Sequence, residues 1–224
     1  MCFSAPADLV AGIVIAGVGV DTLRHVRHHR EAALAGLPVL FGVHQLMEVP
    51  VWLGLDGYAG VAHGFAVAYL LVAFGVVPWV VPLAIARLEP EPGRARFMAA
   101  TVVLGAAVAV ALLVPTLTRG VSTADGGAFV DYRTHLVLAG PLTVAYVVAT
   151  CGALLASSDR VVVWYGVANL VAVVALAVLL TSGVVSLWCV WAAVTSIAIA
   201  VHLRRLHRAH AGGRPATRTG TPHA

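Results

Sequence analysis

Long apolar stretches alternate with short polar interruptions along the whole chain of 224 residues. Each apolar stretch is close to the ~20 residues that an α-helix needs to cross ~30 Å of hydrocarbon. The first predicted helix runs from about Ala5 to Leu23, and the basic run that begins at Arg24 ends it. The pattern therefore predicts an all-α fold, a polytopic membrane helix bundle.

Six further apolar stretches bring the prediction to about seven transmembrane helices. Proline at positions 78 and 82 should bend the third of them. The longest connection, Pro115 to Val130, is rich in Gly, Ser, Thr and Asp and is predicted to be a flexible surface loop. Residues 1–206 would form the bundle, and residues 207–224 a basic, disordered cytoplasmic tail. Helices two to seven are predicted at about Leu37–Leu55, Gly60–Ala86, Phe97–Val114, Asp131–Ala156, Arg160–Leu180 and Val184–Leu206.

Composition supports a membrane environment, since 60% of the residues are hydrophobic and only 11% are charged. Soluble domains carry roughly 25% charged residues. All fourteen cationic side chains are arginines, and they lie in loops and in the tail. We therefore expect the partners to be the lipid bilayer and anionic headgroups at its cytoplasmic face, and no nucleic acid. Arginine without lysine, in a chain rich in alanine and valine, suggests a GC-rich bacterial gene and hence a bacterial plasma membrane.

The distribution of arginines predicts the orientation, because cytoplasmic loops carry the positive excess. Twelve arginines fall on one side of the predicted bundle, whereas only Arg119 and Arg133 fall on the other. The prediction is an N-terminus outside and a C-terminus inside, which requires an odd number of spans such as seven.

Helix two carries the most informative polar residues, because ionisable side chains inside hydrocarbon are costly and frequently functional. Glu48 lies seven residues before the outer end of this helix, roughly 10 Å into the membrane. His44 is one turn deeper on the same face, and Gln45 is adjacent. Trp52 lies towards the helix end, where tryptophan commonly anchors a helix at the interface.

Other polar residues fall in the same outer layer, and no comparable set is predicted in the inner half. This arrangement suggests an outward-facing polar pocket that binds a ligand. The pocket candidates are Glu48, Gln45, His44, Trp52, His63, His135, Ser186 and Cys189, with Asp8 in the same layer at the start of helix one.

Alternative interpretations of these residues stay open. His63 and His135 lie so near the interface that ordinary hydration explains them, and Glu48 could be a structural hydrogen-bonding group between helices. A metal site could draw on His44, Glu48, His63 and His135, but zinc needs at least three protein ligands and an H-x-x-x-E spacing supplies two. The sequence does not identify a cofactor.

Short motifs along nearly the whole chain resemble an uncharacterised family of bacterial seven-helix membrane proteins that begin Met-Cys-Phe-Ser-Ala. The resemblance implies a fold and a shared polar motif around Glu48, but no known activity. The family pattern has glutamine at the position of His44 and glycine at the position of Val49, so this chain departs from the pattern at both positions. The motifs are Met1 to Ala5, Leu37 to Gly42 continuing to Gln45, Glu48 and Trp52, Ser157 to Arg160, and Ser186 to Cys189 with Ala192 and Ala193.

Three classes of function compete. The first is binding or sensing of a small ligand or a proton at the outward-facing pocket. The second is a metal-dependent membrane hydrolase that acts near the outer leaflet with Glu48 as general base, although no nucleophile elbow or phosphate loop is present. The third is a small-solute transporter, although matching Gly/Pro-broken helices in the two halves are absent. We rank binding or sensing first.

Overall fold

The computed structural model describes residues 4–58, 62–127, 129–136, 138–179, 191 and 193–205, with no side-chain description for residues 176–179. This part of the chain is mostly helical. A π-helical turn, Leu71–Val76, joins α3 directly to α4, and residues 193–205 form a further helical segment. The helices are α1 (Ala5–Arg24), α2 (Ala32–Leu55), α3 (Ala62–Leu70), α4 (Val77–Ala86), α5 (Pro92–Arg119), α6 (Ala139–Leu155) and α7 (Arg160–Leu179).

Four helical stretches in the described residues are long and apolar enough to cross a membrane: Ala5–Arg24, Ala32–Leu55, Ala62–Ala86 and Pro92–Arg119. Large apolar side chains on these helices point outward, among them Val10 and Val103, which are 64% and 70% exposed. Such surfaces are favourable against hydrocarbon and unfavourable against water. The prediction of a helical fold with several helices able to cross a membrane is confirmed. The count of seven spans and the orientation stay predictions.

Helices α1 and α2 approach each other closely because glycine lies at their contacts. A Cβ atom added at Gly19 would lie 2.4 Å from the amide nitrogen of Val39, and one added at Gly42 would lie 2.4 Å from that of Ala16. Small residues allow two helix backbones to approach this closely. The tight pairing lays the start of α1 beside the end of α2.

The π-helical turn Leu71–Val76 lies directly before Pro78 and Pro82, the two prolines at which the sequence predicts a bend. Irregular helices expose backbone carbonyl groups, which must find donors inside a bilayer. The Tyr146 hydroxyl donates to the carbonyl oxygen of Ala73 at 2.9 Å, and the Trp79 indole N–H donates to that of Gly75 at 2.8 Å. The two side chains therefore supply hydrogen-bond donors to backbone carbonyl groups of the π-helical turn.

The predicted loop from Pro115 to Val130 is wrong, because α5 continues through Pro115 to Arg119 and a β-hairpin follows. Gly120, with φ of 80°, turns the chain out of α5. Strand β1 (Val121–Asp125) pairs antiparallel with β2 (Val130–Thr134). The predicted fifth helix was also placed too early, since it begins at Ala139 rather than Asp131. We call residues 121–134 the hairpin.

Ion pairs and hydrogen bonds cross the end of the bundle opposite the hairpin, which we call the arginine-rich end. Arg204 bonds to Asp21, and Arg94 donates to the carbonyl oxygen of Ala156 at 2.9 Å. Glu89 accepts hydrogen bonds from both the hydroxyl and the amide of Ser158. Burial alone raises the pKa of Glu89, but these bonds, the Glu91 amide and the charge of Arg94 outweigh it and hold the pKa below its ordinary value.

The predicted orientation can be tested with single cysteines in whole cells. A cysteine at Ser122 lies on the exposed side of the hairpin, and one at Arg214 lies in the predicted cytoplasmic tail. We expect a membrane-impermeant thiol reagent to label the first and to miss the second until the cells are permeabilised, because twelve of the fourteen arginines should stay inside. The reverse labelling would invert the orientation.

Candidate functional site

The C-terminal half of α2 presents the predicted polar face to the interior of the bundle. His44 and Glu48 are separated by one helical turn, and Trp52 follows one turn later, so the three share a face. Glu48 is completely buried, and Gln45 is 1% exposed. The interpretation of Trp52 as an interface anchor is wrong, because its side chain is buried in the protein.

Asp8 joins this face from α1. Its side chain is completely buried, and it accepts hydrogen bonds from the Gln45 amide and, at 2.8 Å, from the Trp52 indole N–H. Both donors are neutral. The close α1–α2 pairing through Gly19 and Gly42 makes this contact possible. Asp8 is therefore a central member of the site rather than one more residue of an outer layer.

The hairpin covers the site near the C-terminal end of α2. Along β2, Val130 and Tyr132 point to the same side, as alternate residues of a strand do. Val130 is completely buried against Val51, Trp52 and Ala66. The Tyr132 hydroxyl donates to Oε1 of Glu48 at 3.1 Å. A surface element thus contacts the buried carboxyl group directly.

An aromatic stack forms the side of the site. The His44 ring lies on Tyr69, with centroids 3.8 Å apart, and Tyr69 lies on Tyr132 at 4.8 Å with the rings nearly parallel. Nδ1 of His44 is buried and makes no hydrogen bond within the described residues. The imidazole therefore offers a free polar atom beside the stack. We call Asp8, His44, Gln45, Glu48, Trp52, Tyr69 and Tyr132 the polar cluster.

Two predicted pocket residues lie apart from the polar cluster. His63 and His135 are both exposed, and His135 follows β2 rather than opening a helix. The carbonyl of His135 accepts a bond from Arg119 at 3.1 Å. This corrects the predicted convergence for these two histidines and fits the hydrated-interface alternative. Ser186 and Cys189 lie outside the described residues.

Tyr69 and Tyr132 were not among the predicted pocket residues. Tyr69 is an ordinary apolar-helix tyrosine in sequence, and only the fold shows that it is completely buried between His44 and Tyr132. Tyr132 carried a usable signal, since Val130, Tyr132 and the intervening Asp131 alternate with period two after a Gly-Gly turn.

In the part of the chain that the structure describes, no group of three or more His, Cys, Asp or Glu side chains has an arrangement that could hold a metal ion. Of the four candidate metal ligands, His44 and Glu48 belong to the polar cluster, whereas His63 and His135 do not. The cluster can instead exchange protons and hydrogen bonds, because it combines two carboxyl groups, an imidazole, an amide and phenol groups.

A second polar network lies apart from the polar cluster and joins α6, α7, Trp191 and the segment 193–205. The Asn169 amide donates to Sγ of Cys151 at 3.2 Å, and the Trp191 indole N–H donates to Oδ1 of Asn169 at 2.6 Å. The Tyr165 hydroxyl donates to Thr195 at 2.6 Å. These groups pair with one another, as expected of hydrogen bonds between membrane helices.

Comparison with known families shows which family the chain belongs to. A family model described as a family of unknown function, DUF6629, matches residues 1–214. The chain belongs to the DUF6629 family. This agrees with the resemblance to an uncharacterised family. The organism range and the helix count that the resemblance implies stay predictions. No curated protein and no solved structure matches the chain. The polar cluster and the hairpin both lie inside the region that the DUF6629 model covers.

Proposed function

We propose that this DUF6629 protein is a proton sensor of the bacterial plasma membrane, in which the polar cluster binds the proton and the hairpin reports it. The observation that carries the proposal is the hydrogen bond from Tyr132, on a surface element, to Glu48, a completely buried carboxyl group. With the orientation that the arginines predict, the hairpin faces the outside. External acidity would then act on the cluster.

The energetic link runs through the charge on Glu48. A hydrogen bond to an ionised carboxylate contributes ~1.5–3 kcal/mol, whereas one between neutral groups contributes ~0.5–1.5 kcal/mol. Protonation of Glu48 therefore weakens the Tyr132 contact by about 1 kcal/mol, which is about five-fold in the docking equilibrium of the hairpin. The packing of the Val130 side chain against Val51, Trp52 and Ala66 is apolar and does not respond to pH.

The packing of the cluster favours a proton over a larger ligand. Glu48, Asp8 and Tyr69 are completely buried, and the cavities beside Phe41 and beside Glu89 are lined by other side chains. A proton needs no cavity, and a small polar solute would enter only after the hairpin lifts.

A spin label on the hairpin tests the proposal. The label is attached at Ser122→Cys after Cys2→Ser, Cys151→Ser and Cys189→Ser, and the protein is reconstituted in lipid nanodiscs. We expect the label to become more mobile between about pH 8 and about pH 5, where perturbed carboxyl groups titrate. Glu48→Gln should remove this response, and Tyr132→Phe should leave the label mobile at every pH.

The matched control is Glu91→Gln, which alters an exposed carboxyl group paired with Arg94 at the arginine-rich end. It should leave the response of the label unchanged. A label whose mobility is constant over this pH range, or a response that persists in Glu48→Gln, would show that the polar cluster is a structural contact and not a sensor.

A further inference from the structure

We propose that the protein holds one acyl chain of an anionic phospholipid in a second site, remote from the polar cluster. The site is a cleft of ≈ 80 Å³ between α2, α4, α6, α7 and the segment 193–205. It uses the first half of α2, whereas the polar cluster uses the second half. We call it the inner cleft, and its apolar walls include Leu37, Phe41, Val81, Leu154, Val162 and Ile199.

The polar side chains along the cleft are already paired, so the surface that remains is apolar. Tyr165 bonds to Thr195, Tyr146 bonds to the carbonyl of Ala73, and Asn169 bonds to Cys151 and Trp191. No unpaired buried donor or acceptor side chain among the described lining residues requires a polar ligand. An apolar occupant restores dispersion contacts that an empty cleft lacks.

The volume of the cleft favours a chain over a ring. An engineered apolar cavity of about 150 Å³ accommodates benzene, and the inner cleft, at ≈ 80 Å³, is about half that size. A cleft of this size holds a segment of a hydrocarbon chain, a few methylene groups in a row, rather than a compact ring. From Val161 to Asn169 the lining of α7 extends eight residues, about 12 Å along the helix.

The mouth of the cleft identifies the kind of lipid. His202 lines this end and lies 3.5 Å from Asp159. Arg160 precedes the lining residue Val161, and Arg205 follows His202 by three residues, on the same side of the helix. Both arginines are exposed. A chain seated in the cleft would place its headgroup beside these two cations, which favours an anionic phosphodiester.

Native mass spectrometry of the full chain tests the inner cleft. The detergent-solubilised protein is offered equal amounts of phosphatidylglycerol and phosphatidylcholine with identical chains. We expect one retained phosphatidylglycerol per protein. Val81→Phe, which fills the cleft, should reduce the retained fraction about ten-fold, about 1.4 kcal/mol. The matched control Val103→Phe changes a 70% exposed valine on α5 and should have no effect.

The headgroup contribution is tested separately. Arg160→Gln with Arg205→Gln should reduce the preference for phosphatidylglycerol over phosphatidylcholine, by about five-fold for each arginine. If Val81→Phe does not fold, Ala198→Leu fills the same cleft. Equal retention of the two lipids by the unaltered protein, or equal loss in Val81→Phe and Val103→Phe, would overturn the proposal. Neither outcome bears on the proton response of the hairpin.

Discussion

Gly105→Ala is expected to destabilise the bundle by about 3 kcal/mol, the upper part of the usual range for an overpacked core. A Cβ atom at this position would lie 1.9 Å from the carbonyl oxygen of Pro78, so two helix backbones would have to separate. Pro82 lacks the amide that would bond this carbonyl, and the Cα–H group of Gly105 lies against it instead. Alanine would remove that contact as well as create a clash.

Thermal unfolding measures the effect. For a chain of this size, about 3 kcal/mol corresponds to a fall in Tm of roughly 6–12 °C. Gly93→Ala is the matched control because Gly93 lies in the same helix with no atom within 4 Å of an added Cβ. Since alanine favours helix by up to about 1 kcal/mol over glycine, this control should be neutral or slightly stabilising. Equal Tm values for the two variants would mean that α5 does not approach Pro78 so closely.

The helices were largely predictable because hydrophobic length is a strong local signal. The predicted end of α2 at Leu55 and the start of α7 at Arg160 agree with the structure. Asp159 caps α7, since its carboxylate accepts the amide of Val161 at 2.8 Å. The predicted start of α2 at Leu37 is five residues late, since α2 begins at Ala32 and continues through Pro38.

The hairpin was missed for a physical reason that the sequence partly contains. Asp-Gly-Gly between two short alternating runs is a hairpin signal, but the long apolar stretch that follows dominated the interpretation of Asp131 as a helix start. The consequence for the site is large, because Tyr132 reaches Glu48 only from a strand. Tyr132 was placed in the first turn of a predicted helix, whereas it lies on strand β2.

The α2 residues of the polar cluster could be predicted from the sequence, whereas their partners on other elements could not. The spacing of His44, Glu48 and Trp52 requires a common face of α2, and their depth required burial. Which residues of other helices meet that face depends on helix rotation and neighbour order, which hydrophobicity alone does not determine. His63 and Asp8 both stood near the predicted outer surface, yet Asp8 is buried and His63 is exposed.

Asp8→Ala is expected to cost about 2–5 kcal/mol, because it leaves two buried donors, the Gln45 amide and the Trp52 indole N–H, without their acceptor. Each buried donor that loses its partner costs ~1–3 kcal/mol. Asp8→Asn retains one acceptor oxygen, so its stability should lie between that of the unaltered protein and that of Asp8→Ala. The fall in Tm for the alanine variant should be roughly 10 °C.

Asp21→Ala is the matched control, since Asp21 lies on the same helix and forms an exposed pair with Arg204. Surface pairs of this kind contribute ~0–1 kcal/mol, so the control should scarcely change Tm. A double-mutant cycle of Asp8→Ala with Trp52→Phe then isolates the buried contact. We expect a coupling free energy of about 1–2 kcal/mol, because removing both partners leaves one unsatisfied donor fewer than removing Asp8 alone. Additive effects would mean that Asp8 stabilises α1 locally, through the helix dipole, rather than joining α1 to α2.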